Sequence, residues 1–356
     1  MSAVTDDRIS QFDGLRALAF LAVFAHHALH VPLMWMGVDL FFVLSGFLIT
    51  RILLQMRGRS TSSSSLAAFY YRRVLRILPP YFLALAAILL AFPIAADDAA
   101  WYFGFASNVR DSIFDPILGP YNSLWSIGVE EQFYLIWPWL VLFAPRRALA
   151  GVFCAVVVAA PLCRLGFADL SFHAVYRLMP CRMDLLAVGA LLAVVDLSRP
   201  GWIATRRTQF VVAAAAAVAG FAALSFALPT FRTSLNVPLF NVVGFGLAVL
   251  FFASLLAIVR GSDSGPLANA LRTPVLQYVG KVSYTCYLVH LLALALVEKA
   301  SLDRWTTATL GLALTLALAT VTWYGIERPL SRLRRAVPER PNPSVRLPLR
   351  DPGHLG

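Results

Sequence analysis

The sequence predicts an all-α protein that crosses a membrane as a polytopic bundle of about ten helices, with both termini in the cytoplasm. Its composition is the first observation behind this fold class. Hydrophobic residues make up 59% of the 356 residues and charged residues only 14%, whereas soluble proteins carry about 25% charged residues. The second observation is the mean hydropathy of +0.71, which comes from apolar runs close to the ~20 residues that a helix needs to span the hydrocarbon.

The apolar runs place the predicted spans in chain order. They are centred on residues 15–32, 37–54, 78–95, 124–143, 148–165, 181–195, 209–227, 240–259, 283–297 and 306–325. The first run follows an acidic start, "MSAVTDDRISQFDG", and it contains histidines. A signal peptide has instead a basic start and a short apolar segment, so we expect the first run to remain as a helix.

The basic residues predict the orientation of the bundle. With the N-terminus inside, 23 of the 30 lysines and arginines fall on cytoplasmic segments, as the positive-inside rule requires. Topology and contact with anionic lipid then account for the net charge of +11, which leaves little support for nucleic-acid binding. We predict a membrane domain over residues 1–328 and a disordered basic cytoplasmic tail over 329–356, which is rich in arginine and proline.

Other local patterns are few. The segment "RGRSTSSSS" has the composition of a flexible linker. The four cysteines show no CxxC spacing, so neither a metal site nor a disulfide framework is predicted. Ser45 and Gly46, in "VLSGFLI", are the small residues that allow close helix packing.

Ionisable residues interrupt the first two apolar runs. Arg16 and His27 are eleven positions apart, which returns nearly to the same helix face and separates them by roughly 16 Å along the axis. The chain then turns, so that Asp39 re-enters at the depth of His27, and this predicts a His–carboxylate pair. Such groups cost free energy in hydrocarbon and therefore indicate a cavity or a partner. The alternative is that they only satisfy one another or face interfacial water.

Further polar residues fall at the same outer level if this topology holds. They lie on the fourth, sixth and ninth predicted helices and are Glu130, Tyr134, Arg182, Asp184, Tyr287 and His290. Five helices therefore bring ionisable side chains to one level. Arg182 and Asp184, taken alone, favour a local ion pair or an interfacial anchor.

A second basic feature lies on the cytoplasmic side, in "FYYRRVLRILPPY". Arg73 and Arg76 are three residues apart and so are neighbours on one helical face. Two adjacent guanidinium groups suit a phosphorylated ligand. Juxtamembrane arginines also serve topology and lipid headgroups, and this alternative stays open.

Seven segments together resemble the acyltransferase-3 family of membrane O-acyltransferases. They are "QFDGLRALAFLAVFAHH", "GVDLFFVLSGFLIT", "FYYRRVLRILPPY", "LWSIGVEEQFYLIWP", "RMDLLAVGALLA", "GKVSYTCYLVHLL" and "IERPLSR". Arg16 and His27 match the family's Arg-x10-His signature, and Arg73 and Arg76 match its spaced arginine pair. Because the chain ends soon after the last helix, it resembles the stand-alone form without a fused esterase-like domain.

The resemblance implies a multi-pass enzyme of the bacterial inner membrane. It would transfer an acyl group, acetyl first of all, from acyl-CoA to a sugar hydroxyl of a cell-surface polysaccharide, glycolipid or glycosylated small molecule. The implied catalytic residues are His27, as general base or transient acyl carrier, with Asp39 or Glu130 orienting it. Arg16, Arg73 and Arg76 would hold the donor phosphates. Substrate-binding residues would be Tyr134, Arg182, Asp184, Tyr287 and His290.

A secondary transporter or flippase is the competing interpretation. Intramembrane His, Asp and Glu groups also form proton relays, and ten helices suit a transporter equally well. The sequence lacks the internal repeat that is typical of many transporters. The Arg16–His27 signature therefore favours the enzyme.

Overall fold

A computed structural model of the protein describes residues 9–57, 61–228 and 237–335. Throughout these ranges the regular secondary structure is helical, which confirms the all-α prediction. Nine of the helices in the described ranges are long and apolar enough to cross a membrane. A tenth helix, Trp125–Phe143, has a similar length but carries Glu130, Glu131 and Gln132, so its hydropathy is lower.

The long helices correspond to the predicted spans and are numbered in chain order. They are α1 (Gln11–Leu29), α2 (Gly37–Arg57), α3 (Ser62–Ala91), α4 (Trp125–Phe143), α5 (Arg146–Gly166), α6 (Met179–Ser198), α7 (Arg207–Ala227), α8 (Phe245–Arg260), α9 (Pro274–Glu298) and α10 (Arg304–Thr322). Shorter helices span Ala96–Phe103, Ser107–Ile113, Phe172–Arg177, Trp202–Thr205, Pro266–Leu271 and Arg328–Arg335.

The bundle has inner and outer helices. The membrane-length windows of α2 and α9 are 72% and 78% buried inside the protein, whereas that of α7 is 6% buried. Four helices, α1, α2, α6 and α9, pack against one another through the pairs α1–α9, α1–α2 and α2–α6. These four helices carry most of the ionisable residues that were selected from the sequence, because such residues require partners away from lipid.

Small residues let α2 and α6 approach closely. A Cβ atom at Gly46 would lie 1.9 Å from the carbonyl oxygen of Leu186, and a Cβ atom at Gly189 would lie 2.2 Å from that of Val43. No larger side chain fits at either position without moving a backbone. The predicted packing role of Gly46 is therefore confirmed, and it is matched by Gly189 on the facing helix.

Two local predictions differ from the structure. Ser62–Ser65, assigned to a flexible linker, form the first turn of α3, where the side chain of Ser65 is buried. The tail that begins at residue 329 starts as a helix, Arg328–Arg335. This helix continues a π-helical turn, Trp323–Glu327, which is anchored by a 2.7 Å hydrogen bond from Thr285 to Glu327. Residues 58–60 and 336–356 lie outside the described residues, and the cytoplasmic location of both termini stays a prediction.

Candidate active site

His27 contacts a second histidine, His290, across the interface between α1 and α9. Nδ1 of His27 lies 3.1 Å from Nε2 of His290. The other ring nitrogen of His290, Nδ1, lies 2.7 Å from the backbone carbonyl oxygen of Tyr287. His290 is fully buried, whereas His27 is partly exposed. An imidazole therefore occupies the position beside His27 where the sequence analysis placed a carboxylate.

A cavity that is partly open to solvent lies beside His27. Its lining includes His26, His27, Trp35 and Tyr287. The hydroxyl of Tyr287 lies 2.7 Å from Oγ of Ser126 and donates to the carbonyl oxygen of Ser123 at 3.2 Å. Tyr287, predicted to bind substrate, is thus placed at the cavity together with His27. The arrangement offers an imidazole and a phenol to one bound molecule.

Three aromatic side chains form one wall of the cavity. The ring centroids of Trp35 and Tyr176 are 5.3 Å apart, and those of Trp125 and Tyr176 are 4.9 Å apart. This wall was not predictable from the sequence, because its members come from three separate segments with no shared local pattern. Aromatic faces of this kind provide broad contact surfaces for a ligand.

Arg177 and Asn122 line a further part of the cavity. Arg177 donates to Oδ1 of Asn122 at 2.8 Å and also to the carboxylate of Asp111. The positive charge of Arg177 is therefore balanced by Asp111, which is itself fully buried. Sequence reasoning missed Arg177, which carried no signal beyond being a basic residue on an outer segment.

Glu130 lies in a separate polar cluster deeper along α4. Oγ of Ser45 donates to Oε1 of Glu130 at 2.7 Å, and the hydroxyl of Tyr134 donates to Oε2 at 3.2 Å. The hydroxyls of Tyr134 and Ser45 are 3.3 Å apart. Glu130 and Tyr134 are therefore brought together as predicted from their one-turn spacing, but Glu130 makes no hydrogen bond to His27 among the described contacts.

Arg73 joins this cluster from α3. Its guanidinium carbon lies 4.9 Å from the ring centroid of Tyr134 and 5.4 Å from that of Phe69. The sequence predicted Arg73 just before a helix. In the structure α3 begins at Ser62, so Arg73 lies about three turns inside the helix, roughly 16 Å from its start. Arg73 therefore lies within α3, where it packs against Phe69 and Tyr134.

The other two predicted donor-binding arginines lie near Arg73. Arg16 pairs with Asp13 of the same helix at 3.1 Å. Arg16 and Arg76 are close enough to repel each other electrostatically, and Glu130 attracts both Arg73 and Arg76. The structure thus brings the three arginines into one region, with Asp13 beside Arg16 and Glu130 beside Arg73 and Arg76. Arg16 and His27 remain on one continuous helix, α1, about 16 Å apart by helix rise.

Two predicted ion pairs are wrong. Asp39 accepts a hydrogen bond from Arg182 and does not pair with His27. Asp184 pairs instead with Arg164 at 2.7 Å, because residues two positions apart on a helix point away from each other and a local Arg182–Asp184 pair cannot form. Within the described residues, no group of three or more His, Cys, Asp or Glu side chains is arranged to hold a metal ion.

The cavity lining contains one of the five predicted substrate-binding residues, and Tyr134 lies instead in the cluster around Glu130. Tyr287 lines the cavity. Arg182, Asp184 and His290 are at most 2% exposed, and none of them belongs to the cavity lining. Their contacts are with protein groups, so the geometry favours structural or indirect roles for these three residues.

Comparison with known proteins gives a consistent result. The family model described as an acyltransferase domain matches residues 9–324. The chain is 29% identical over 359 residues to the protein named peptidoglycan O-acetyltransferase OatA of Listeria monocytogenes, covering 91% of this chain and 56% of that protein. It is 26% identical over 366 residues to O-acetyltransferase OatA of Staphylococcus aureus, covering 90% and 57% of the two chains. The chain thus spans a little over half the length of these curated relatives. No solved structure matches it.

Proposed function

This chain belongs to the acyltransferase-3 family of integral membrane acyltransferases, and from that premise we propose that it moves an acetyl group from acetyl-CoA to a hydroxyl of a carbohydrate. The observation that carries the proposal is the placement of His27. Its imidazole lines a cavity, and the helix that bears it also bears Arg16 in a cluster of three arginines. A proton acceptor and an anion-binding group are thereby joined by one rigid element.

Donor binding is assigned to the arginine cluster. Guanidinium groups recognise phosphate through paired, charge-assisted hydrogen bonds, and Arg16, Arg73 and Arg76 supply three such groups in one region of the bundle. The pantetheine arm of CoA is comparable in length to the offset of about 16 Å from Arg16 to His27. A donor held by its phosphates at the arginines therefore extends its thioester toward the cavity.

The acyl transfer is a base-assisted attack at the thioester carbonyl. His27 removes the proton from the acceptor hydroxyl while that oxygen forms a bond to the carbonyl carbon. Collapse of the tetrahedral intermediate breaks the carbon–sulfur bond, and the protonated His27 returns the proton to the departing sulfur. The products are an O-acetyl ester and free CoA, and the imidazole is restored. An alternative route passes the acetyl group through His27 itself.

Glu130 and Asp39 take different roles from those that the sequence suggested. Glu130 holds Ser45 and Tyr134 and provides the negative charge beside Arg73. We therefore assign Glu130 to positioning the donor-binding arginines, and not to orienting His27. Asp39 pairs with Arg182, whose guanidinium lies 5.2 Å from the ring centroid of Tyr176 in the cavity wall. Asp39 therefore acts on the cavity indirectly, by holding Arg182 beside the wall residue Tyr176.

The carbohydrate acceptor binds, in this proposal, in the cavity beside His27. The aromatic wall of Trp35, Trp125 and Tyr176 suits the apolar face of a sugar ring, and Asn122 and Tyr287 offer hydrogen-bonding groups to its hydroxyls. The named relatives are O-acetyltransferases of bacteria. A cell-surface glycan at the bacterial cytoplasmic membrane is accordingly the acceptor class, with peptidoglycan fragments the first to test.

The proposal is tested with purified protein in detergent and radiolabelled acetyl-CoA. A panel of peptidoglycan fragments, O-antigen oligosaccharides and exopolysaccharide oligosaccharides serves as acceptor, and mass spectrometry identifies the ester. Transfer to any of these without a membrane gradient supports the proposal. Absence of turnover, together with gradient-dependent solute uptake into proteoliposomes, would establish a transporter instead. Stoichiometric release of CoA before acceptor is added would indicate the route through acetyl-His27.

A further inference from the structure

We propose that His290 is a positioning residue that fixes the tautomer of His27, so that the lone pair of His27 is on Nε2. This inference rests on the proposed function, because it assigns His27 the role of base. The sequence predicted His290 as a substrate-binding residue. Its full burial and its absence from the cavity lining instead favour a role exerted through His27.

The hydrogen-bond partner of His290 determines which of its nitrogens carries the hydrogen. The backbone carbonyl oxygen of Tyr287 can only accept a hydrogen bond, so the nitrogen 2.7 Å from it, Nδ1 of His290, carries the hydrogen. A neutral imidazole has one N–H group. Nε2 of His290 is therefore an acceptor.

Burial supports the neutral form of His290. The side chain has no exposed surface, and the ring of Phe20 packs edge-on against it with centroids 6.2 Å apart. The hydrogen-bond partners of its two nitrogens are a carbonyl oxygen and another imidazole. A charged imidazole at this position would lack a carboxylate partner in an apolar setting, which is costly.

The acceptor nitrogen of His290 in turn determines the position of the hydrogen on His27. Nε2 of His290 lies 3.1 Å from Nδ1 of His27 and accepts, so Nδ1 of His27 must donate. The single hydrogen of the neutral His27 ring is thereby held on Nδ1. The lone pair remains on Nε2, and His27 is the member of this pair that lines the cavity.

In the reaction, His290 holds the His27 ring in one orientation and one tautomer. The acceptor proton moves to Nε2 of His27 and later leaves from the same atom, while Nδ1–H stays bonded to His290. His290 neither gains nor loses a proton and touches no substrate atom. The arrangement resembles the orienting partner of a catalytic histidine, which fixes its tautomer and ring direction. Here a buried imidazole, itself fixed by a helix carbonyl, takes that place.

Two variants of His290 separate positioning from packing. His290→Leu fills the site but cannot accept from His27, so we expect kcat to fall by about 100-fold or more, the usual scale of acid–base contributions, with an unchanged KM for acetyl-CoA. His290→Gln keeps an oxygen acceptor, so we expect it to regain at least about a tenth of wild-type kcat. Thr285→Val is the matched control, since it removes a buried hydrogen bond of the same helix that does not involve His27.

A spectroscopic measurement tests the tautomer independently of turnover. In protein labelled with ¹⁵N-histidine and reconstituted in nanodiscs, the His27 signals are assigned by comparison with His27→Gln. We expect Nε2 of His27 to be unprotonated in the wild type, and both tautomers to be present in His290→Leu. A proton on Nε2 in the wild type, or full turnover by His290→Leu, would overturn the proposal. If the wild type shows no transfer to any acceptor, the proposed function fails, while the nitrogen spectrum still decides the tautomer.

Discussion

Asp39 of α2 accepts a hydrogen bond from Arg182 of α6, and both side chains are fully buried. Removing one partner of a buried pair leaves an uncompensated charge, which costs about 3–5 kcal/mol. We therefore expect Asp39→Ala to lower the free energy of unfolding by about that amount. Thermal and denaturant unfolding in detergent micelles measures this change.

The double variant Asp39→Leu/Arg182→Met should be more stable than Asp39→Ala alone, because no charge then remains unpaired. Asp263→Ala serves as the control, since the Asp263 side chain is 86% exposed. Wild-type stability of Asp39→Ala, combined with loss of acyl transfer, would instead restore the catalytic role that the sequence suggested for Asp39.

The stacked arrangement of Arg73 on Tyr134 predicts a defect in donor binding. We expect Arg73→Ala/Arg76→Ala to raise the KM for acetyl-CoA at least about tenfold, because a charge-assisted hydrogen bond contributes about 1.5–3 kcal/mol. Stability should fall only modestly, since a cation–π contact is worth about 0.5–1 kcal/mol at exposed sites. Steady-state kinetics with varied acetyl-CoA measure the first effect.

Arg147→Ala is the matched control for the arginine pair, because Arg147 is an exposed arginine at the start of α5. Its KM for acetyl-CoA should equal that of the wild type. If the double variant inserts correctly and its KM is also unchanged, Arg73 and Arg76 serve topology and lipid contact only.

His27 should be required for chemistry and not for folding. We expect His27→Ala to lower kcat by about 10²–10⁴-fold. His27→Gln keeps hydrogen-bonding capacity but has no basic nitrogen, so it should insert normally and show a similar loss. Acyl transfer per mole of inserted protein measures both effects. Turnover by His27→Gln at the wild-type rate would exclude His27 both as general base and as acyl carrier.

His26 provides the comparison with His27. It also lines the cavity, but its Nδ1 lies 3.3 Å from the carbonyl oxygen of Val31 and the side chain points about 100° away around the helix. We expect His26→Ala to keep a substantial share of the wild-type kcat. Equal losses of kcat for His26→Ala and His27→Ala would mean that the reaction depends on both imidazoles and not on His27 alone.

The aromatic wall predicts an effect on the acceptor alone. We expect Trp35→Ala to raise the acceptor KM about 3- to 10-fold, since an aromatic contact contributes about 0.5–1.5 kcal/mol. Trp35→Phe should raise it less, and the KM for acetyl-CoA should not change in either variant. Trp139→Ala is the control because Trp139 is 53% exposed. An unchanged acceptor KM for Trp35→Ala would place the sugar elsewhere.

The helices were largely predictable because the requirement for spanning a membrane is local. A run of apolar residues predicts a helix wherever it occurs, and this holds even for α4, whose Glu130 and Glu131 lower its hydropathy. The start of α3 was wrong by many residues, since the preceding serines and arginines are not apolar. That error placed Arg73 before the helix in the prediction, whereas it lies within α3.

The sequence by itself determined the number and order of the long helices and selected Arg16, His27 and the arginine pair. These features depend on hydropathy and spacing within single segments. Only the tertiary structure decided the partner of each ionisable residue: His290 for His27, and Arg182 for Asp39. His27 and His290 are 263 positions apart. Which buried polar groups meet depends on how helix faces pack across the bundle, because each group must find a partner away from lipid and no local pattern specifies which one.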